Sequence, residues 1–471
     1  MYRYFRRTAA HAAVFAAMLA ASVFSLAAPA LAADPVDSHV VIISLDGFAA
    51  FLLNDPKAPI PTIRRLAKEG AVCESGMRVS NPSVTWPNHT SMVTGYHPEK
   101  HGVLANGVLV RGAIGVPVLI DPKRDKSDLV RVATLYDTAH AAGMTTAEVN
   151  WPCTRGSTAL DDSFPDVPEA VDHMTPRLRE ELIAAGLLAD STDKSFKSGS
   201  IVGRDLIWTE TACHLIRARQ PNLLLVHLLN IDATHHAEGA QSSAGYTANA
   251  YADTCVEKII DALDSAGLRE RTTVFIVSDH GFTLTPKALR PNVILRQEKL
   301  LTADESGKVI EARIHVVPEG GIGLVYCTDP GRAEADRTIA EKLLTGQEGV
   351  AGILRPEEFI AHGLPHPREY AQSPDLVLVA QDGYAVSASA AGDTFVTGQV
   401  EGKVSLGSHG FLSTNPKMNA LCILAGRGVR SGAPINDPEN IDIAPTAAAL
   451  LGLEDFQVDG RVLSEGLLES K

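Results

Sequence analysis

Residues 39–46 read HVVIISLD, residues 222–232 read NLLLVHLLNID and residues 272–279 read TTVFIVSD. Each is a short apolar run that closes on an aspartate: Asp46, Asp232 and Asp279. Unbroken runs of this length, rich in Val, Ile and Leu, predict strands buried on both faces, as in a parallel sheet. Working outward, residues 145–149 (TTAEV) and 420–425 (ALCILA) read as further strands of the same sheet. Between them, residues 243–267 predict a helix with Val256, Ile259, Ile260 and Leu263 on one face and Gly267 as its stop. Residues 441–451 predict another, closed by Gly452. Strands alternating with helices imply an α/β fold: a mostly parallel central sheet with helices on both faces. From about 286 to 371 the pattern becomes irregular and rich in charge, Gly and Pro, which predicts an inserted cap subdomain within one domain spanning 33–471.

The chain has 471 residues, 45% hydrophobic and 21% charged, an ordinary globular composition that can bury a large core. Its formal charge of -14 argues against binding a nucleic-acid duplex, which needs clustered Lys and Arg. The N-terminus carries Arg3, Arg6 and Arg7, then an Ala-rich apolar run, then Ala30-Leu31-Ala32. That order predicts a signal peptide over 1–32 and an exported protein, periplasmic or secreted, with no membrane partner after cleavage; an uncleaved anchor is the alternative. Six cysteines are scattered without a CxxC pair, so no thiolate metal site is expected and their pairing stays open.

In open α/β sheets ligands bind beyond the carboxyl ends of the strands, so the three aspartates are expected to converge. His236 follows Asp232 by four residues, His280 follows Asp279 directly, and His409 lies between glycines in Gly407-Ser408-His409-Gly410. Imidazole and carboxylate together suit Zn²⁺ and similar ions, and six ligands suffice for two. Separate turn, cap or core roles remain open for each residue taken singly. Residues 81–107, NPSVTWPNHTSMVTGYHPEKHGVLANG, add a hydroxyl at a predicted helix start: Pro87 suits a first turn and Gly95 a stop. Thr85 just before that turn is either a nucleophile or an ordinary N-cap.

Asp46-Gly47, Thr85-Trp86-Pro87-Asn88-His89, Asp232-x-x-x-His236, Ser278-Asp279-His280-Gly281 and Gly407-Ser408-His409-Gly410 stand in the order found in the alkaline phosphatase superfamily. Within it the chain resembles the nucleotide pyrophosphatase/phosphodiesterase family from about residue 39 to 452. The resemblance implies two zinc ions: one held by Asp232, His236 and His409, the other by Asp46, Asp279 and His280 together with the oxygen of Thr85. His235 is out of step with the family spacing and is left out of the set. Asn106 looks like the family's asparagine that donates to a phosphoryl oxygen; a turn role before Gly107 is the alternative. The implied chemistry is in-line attack by Thr85, a phosphothreonine intermediate, and its hydrolysis.

The implied substrate is a small phosphate ester or nucleotide. Family phosphodiesterases are similar in carrying an aromatic residue after the nucleophile, here Trp86, to stack on a nucleobase or aryl group; packing of the motif is the alternative. Asn150-Trp151-Pro152 resembles the phosphodiesterase pattern too, which makes Trp151 a substrate-binding candidate. Arg155-Gly156 instead resembles threonine-dependent phosphate monoesterases of alkaline phosphatase type, although Cys153 stands where their lysine would be. A monoesterase with Arg155 gripping the extra charge is therefore the second reading. A non-catalytic binding protein on the same fold is a third. The sulfatase motif C/S-x-P-x-R is absent from the Thr85 region, which disfavours sulfate esters.

Overall fold

The computed structural model describes residues 37–398 and 406–469. The expected signal segment 1–32 lies outside the described residues. The described residues are organised around one eight-stranded sheet. From edge to edge its strands are 433–434, 71–72, 422–426, 272–277, 39–45, 223–228, 146–152 and 162–166.

The strand His39–Leu45 lies at the centre, parallel to Leu223–Leu228 on one side and to Thr272–Val277 on the other. All three are fully buried, as their unbroken apolar composition requires. Cys422–Gly426 runs antiparallel to Thr272–Val277, so the sheet is mixed beyond that point. Period-2 alternation splits the core between the two faces. Val40, Ile42, Leu223, Leu225, Phe275 and Val277 point to one face, where Met92, Val93, Leu135 and Ile443 from helices Thr85–Thr94, Leu135–Ala141 and Ile443–Leu451 cover them. Val41, Ile43, Leu224, Val226 and Ile276 point to the other, against helices Pro61–Glu69, Ile201–Ala218 and Ser243–Ser265. Fully burying each such side chain stabilises the fold by roughly 1.5–3 kcal/mol before chain entropy is counted.

The segment that follows residue 286 is more ordered than its irregular composition suggested. It holds a four-stranded antiparallel sheet, in the order 314–319, 322–327, 376–380 and 350–354, backed by helices Pro291–Gln297 and Ala333–Leu344. The expected limit at 371 falls short, because Leu376–Ala380 is an inner strand of this small sheet and Tyr384–Val386 pairs with Lys287–Leu289. Its sequence, LVLVA, carries no mark of which sheet it joins. The turn Gly320-Gly321 of this sheet meets the 409–410 loop: Gly321 N donates to His409 O at 2.8 Å. Gly410, at φ +80°, passes so close that a Cβ there would stand 1.8 Å from Glu319 O, so only glycine fits. Among the described residues no helix is long and apolar enough to cross a membrane.

Candidate metal centre and nucleophile

The carboxyl ends of the three central strands deliver their aspartates to one place. Asp46 follows the strand His39–Leu45 directly, and Asp279 lies two residues beyond Val277. Asp232 sits four residues past its strand, in the first turn of helix Asn230–Glu238, with His236 one turn further on the same face. Asp205 holds that helix start, accepting from the N–H groups of Leu229 (2.9 Å) and Asn230 (3.1 Å).

Two clusters result. Asp46, Asp279 and His280 each bring one ligand-type atom within 4.8 Å of the others, and so do Asp232, His236 and His409. In the first, His280 Nε2 lies 3.5 Å from Asp46 Oδ1 and 3.2 Å from Asp279 Oδ2. In the second, Asp232 Oδ1 lies 3.4 Å from His236 Nε2 and 3.7 Å from His409 Nε2. Each ring is oriented from behind by a backbone carbonyl: His280 Nδ1 on Gly281 O, His236 Nδ1 on Gly407 O and His409 Nδ1 on Ser83 O, at 3.1, 3.0 and 2.8 Å. Donation from Nδ1 fixes the tautomer and turns the Nε2 lone pair inward, as a ligating histidine requires.

The clusters are electrostatically costly as they stand. Asp46 Oδ1, Asp279 Oδ2, Asp232 Oδ1 and His280 Nε2 are buried atoms without a hydrogen-bond partner among the described residues. Burial, reinforced by the neighbouring carboxylates, pushes the Asp46 and Asp279 carboxyls far above the ordinary range. Burial also pulls His280 well below its usual value and His409 down to about 4, each helped by a second imidazole. The His280 and His409 rings stack at 3.6 Å, which suits two neutral rings and not two cations. Carboxylates held ionised beside neutral imidazoles are the donor set of a divalent ion of the zinc type, so the residues fit such a group.

Thr85 is tethered to both clusters. It opens helix Thr85–Thr94 rather than capping it; Val84 is the N-cap, Pro87 lies in the first turn, and Gly95 at φ +72° closes the helix as expected. Two residues before it, Ser83 O holds the His409 ring. One turn after it, His89 Nδ1 donates to Thr85 O at 2.9 Å and lies 3.6 Å from Asp279 Oδ2. Neither the hydroxyl nor the N–H of Thr85 has a hydrogen-bond partner among the described residues. Asn106 Oδ1 accepts from Trp86 N at 2.9 Å, which satisfies that N–H and leaves Nδ2 of an exposed side chain to donate elsewhere.

Three expected substrate contacts stand differently. Trp151 is fully buried and edge-on to His89 at 4.7 Å, so it packs behind the centre and offers no face to a ligand. Trp86 is 4% exposed, donates Nε1 to Asp166 Oδ2 at 3.0 Å and packs with Val103, Leu129, Cys153 and Val167; the packing role replaces the stacking one. Arg155 directs Nε to Asp125 Oδ1 at 2.5 Å, in a part-buried ion pair.

His227 was not among the expected site residues, yet its Nε2 lies 2.8 Å from Asp46 Oδ2. The signal for it is a lone polar residue in the apolar run LLLVHLL, since a buried polar group needs a partner. His89, quoted only within its motif, belongs with it: the two rings lie 4.3 Å apart.

Residues 40–412 match the model of the family described as type I phosphodiesterase / nucleotide pyrophosphatase. The chain belongs to that family. Mouse ectonucleotide pyrophosphatase/phosphodiesterase family member 1 is 24% identical over 268 residues, 55% of this chain and 25% of the mouse protein. A venom phosphodiesterase of Macrovipera lebetinus is 22% identical over 249 residues, 52% of this chain and 25% of that one. The chain thus spans about a quarter of the length of these curated family members. Among solved structures, murine ectonucleotide pyrophosphatase/phosphodiesterase 5 superposes with a TM-score of 0.64 at 19% identity, covering 90% of this chain and 97% of its own. The human counterpart gives 0.65 at 17% identity, with the same coverage. The family fold is therefore shared, including the central α/β sheet.

Proposed function

We propose that this member of the type I phosphodiesterase / nucleotide pyrophosphatase family hydrolyses phosphoric diesters, with nucleotides as the favoured substrate class. The observation that carries the reading is the Thr85 hydroxyl, unpartnered among the described residues and tied through Ser83 to one donor cluster and through His89 to the other. In the reading, Asp232, His236 and His409 would hold one divalent ion and Asp46, Asp279 and His280, together with the Thr85 oxygen, would hold another; zinc is the expected ion. Such ions supply positive charge for a phosphate in an acidic protein and lower the pKa of an oxygen bound to them.

Thr85 Oγ1 attacks phosphorus in line, the bond to the leaving oxygen breaks, and a phosphothreonine forms. The Thr85 N–H and Asn106 Nδ2 donate to the non-bridging oxygens, where charge builds up in the transition state. Water then attacks the phosphothreonine and restores the threonine hydroxyl. Diesters are favoured over monoesters because Arg155 is paired with Asp125, and Cys153 stands where threonine-dependent monoesterases carry a lysine. The solved relative's inactive variant in complex with AMP supports a nucleotide-type substrate. The apolar, Arg-led N-terminus supports an exported enzyme.

The test is kcat/KM of the zinc-loaded protein on bis(p-nitrophenyl) phosphate and p-nitrophenyl phosphate, with Thr85→Ala as control. The expected outcome is a diester preference of ten-fold or more, about 1.4 kcal/mol of transition-state discrimination. The reverse preference would establish the monoesterase reading with Arg155 released from Asp125.

A further inference from the structure

Asp46 reaches the inner cluster with only one of its two oxygens, and the reason is a histidine outside the donor set. His227 lies in the strand Leu223–Leu228, in register with Ser44 of the central strand, two residues before Asp46 on the same face. Its ring is completely buried. Nε2 stands 2.8 Å from Asp46 Oδ2, and Nδ1 stands 2.9 Å from the carbonyl oxygen of Asn150 and 3.3 Å from its Nδ2. Asn150 returns the contact, its Nδ2 donating to His227 O at 3.2 Å. The carbonyl reaches the ring because Asn150 adopts φ +60°, a left-handed conformation that asparagine tolerates better than most residues. His89 packs against the ring at 4.3 Å. The imidazole is therefore held at both nitrogens and along one side, and can neither flip nor withdraw.

We infer that His227 is a positioning residue that commits Asp46 Oδ2 and thereby restricts Asp46 to one-oxygen ligation of the inner ion. This rests on the reading of Asp46, Asp279 and His280 as an ion's donors. The other two members follow the same rule. Asp279 Oδ1 accepts from Gly47 N at 3.1 Å, and His280 Nδ1 faces Gly281 O, so each group spends one atom on the protein and keeps one for the centre. A carboxylate freed at its second oxygen can bind through both, which raises the coordination number and alters the field at the ion. Among the described residues no group hydrogen-bonds the second oxygen of Asp232 in the other cluster, whose side chain is 15% exposed, so the device is specific to the inner site.

The test uses the full chain with Co²⁺ in place of zinc, because the visible absorption of Co²⁺ weakens sharply as coordination rises from four. In His227→Phe, which fills the same space without a hydrogen bond, the inner ion is expected to bind about 10- to 100-fold more weakly and its absorption to fall. His227→Gln, whose amide can donate to Asp46 Oδ2, is expected to recover most of both. His227→Phe with unchanged affinity and spectrum would overturn the inference. Should that variant fail to fold, a crystal structure of the unmodified chain with cobalt decides: Asp46 on the ion through Oδ1 alone sustains the inference, and both oxygens on the ion overturn it. An unmodified chain that takes up no ion at Asp46, Asp279 and His280 would instead sink the donor assignment itself, an outcome read before any variant is made.

Discussion

The two donor clusters are assembled from the same side-chain types and lie against one another, yet the protein treats them differently. Asp46, Asp279 and His280 have no exposed side-chain surface, and two of the three hang directly from the ends of adjacent central strands. Asp232, His236 and His409 have side chains 15%, 34% and 11% exposed, and come from a helix and from a loop gripped by the inserted sheet. The inner cluster inherits the rigidity of the sheet. The outer one depends on contacts far apart in sequence, Ser83 with His409 and His236 with Gly407, and opens to solvent. A phosphoryl-transfer centre has use for both: a fixed place for the nucleophile and an open place for the leaving group and water.

The largest effect expected is on Thr85, which belongs to neither cluster but is tied to both. Thr85→Ala should lower kcat by at least about 10³-fold while two ions remain bound, because attack is lost while Asp46, Asp279 and His280 still hold the inner ion. Appreciable turnover in that variant would remove the nucleophile.

The next effect sharpens the comparison itself. His409→Ala should reduce metal content to about one ion per chain, with the inner ion retained. Titration with a chelator should likewise empty the protein in two steps, the exposed cluster first. Loss of both ions in one step would break the distinction between a sheet-borne and a loop-borne site.

A smaller effect follows from the buried acids. In metal-free protein Asp46 and Asp279 have carboxyl pKa values raised by burial, and burial also raises Glu148 to about 7 and Glu319 to about 8. A raised folded-state value gives stability that is complete below the unfolded carboxylate range, about 4, and is lost as pH rises through the folded value. The lowered histidines act oppositely, but only between about 4 and their unfolded value near 6.5. From about pH 6.5 to 8 the acids act alone, so the Tm of metal-free protein should fall with rising pH. Ions at the inner cluster should make that slope shallower by holding Asp46 and Asp279 ionised; an identical slope in both forms would show that the cluster takes no cation.

The smallest effect concerns Arg155→Ala. Removing the part-buried partner of an exposed Asp125 should cost within about 1 kcal/mol of stability, and diester turnover should change little. A large loss confined to monoester turnover would restore Arg155 to the substrate site.

Much of this was legible in the chain itself. The runs 39–45 and 272–277 are strands with the bounds their apolar residues implied, and the helix at 243–265 stops two residues before Gly267. These elements are read correctly because burial on both faces, or on one helical stripe, demands a composition that nothing else in a soluble domain explains. The strand at 376–380 was missed because its residues would serve equally in either sheet. Trp86 and Trp151 were assigned to substrate because an aromatic side chain in a motif looks the same whether its face is open or packed; only their 4% and 0% exposure distinguishes the two.

By itself, then, the sequence determined the covalent inventory and its order: strands that lead to Asp46 and Asp279, Asp232 and His236 four residues apart, a hydroxyl at the start of a helix; that Asp232 and His236 ride on a helix of their own, Asn230–Glu238, is a finding of the structure. Local physics is enough for these, since side-chain period, strand composition and the i to i+4 spacing act within a few residues. Tertiary structure decided which oxygen of each carboxylate is spent on the protein, which tryptophans are covered, and that His227 stands behind Asp46. Those depend on register between strands 181 residues apart and on what packs above them, and no local pattern encodes either.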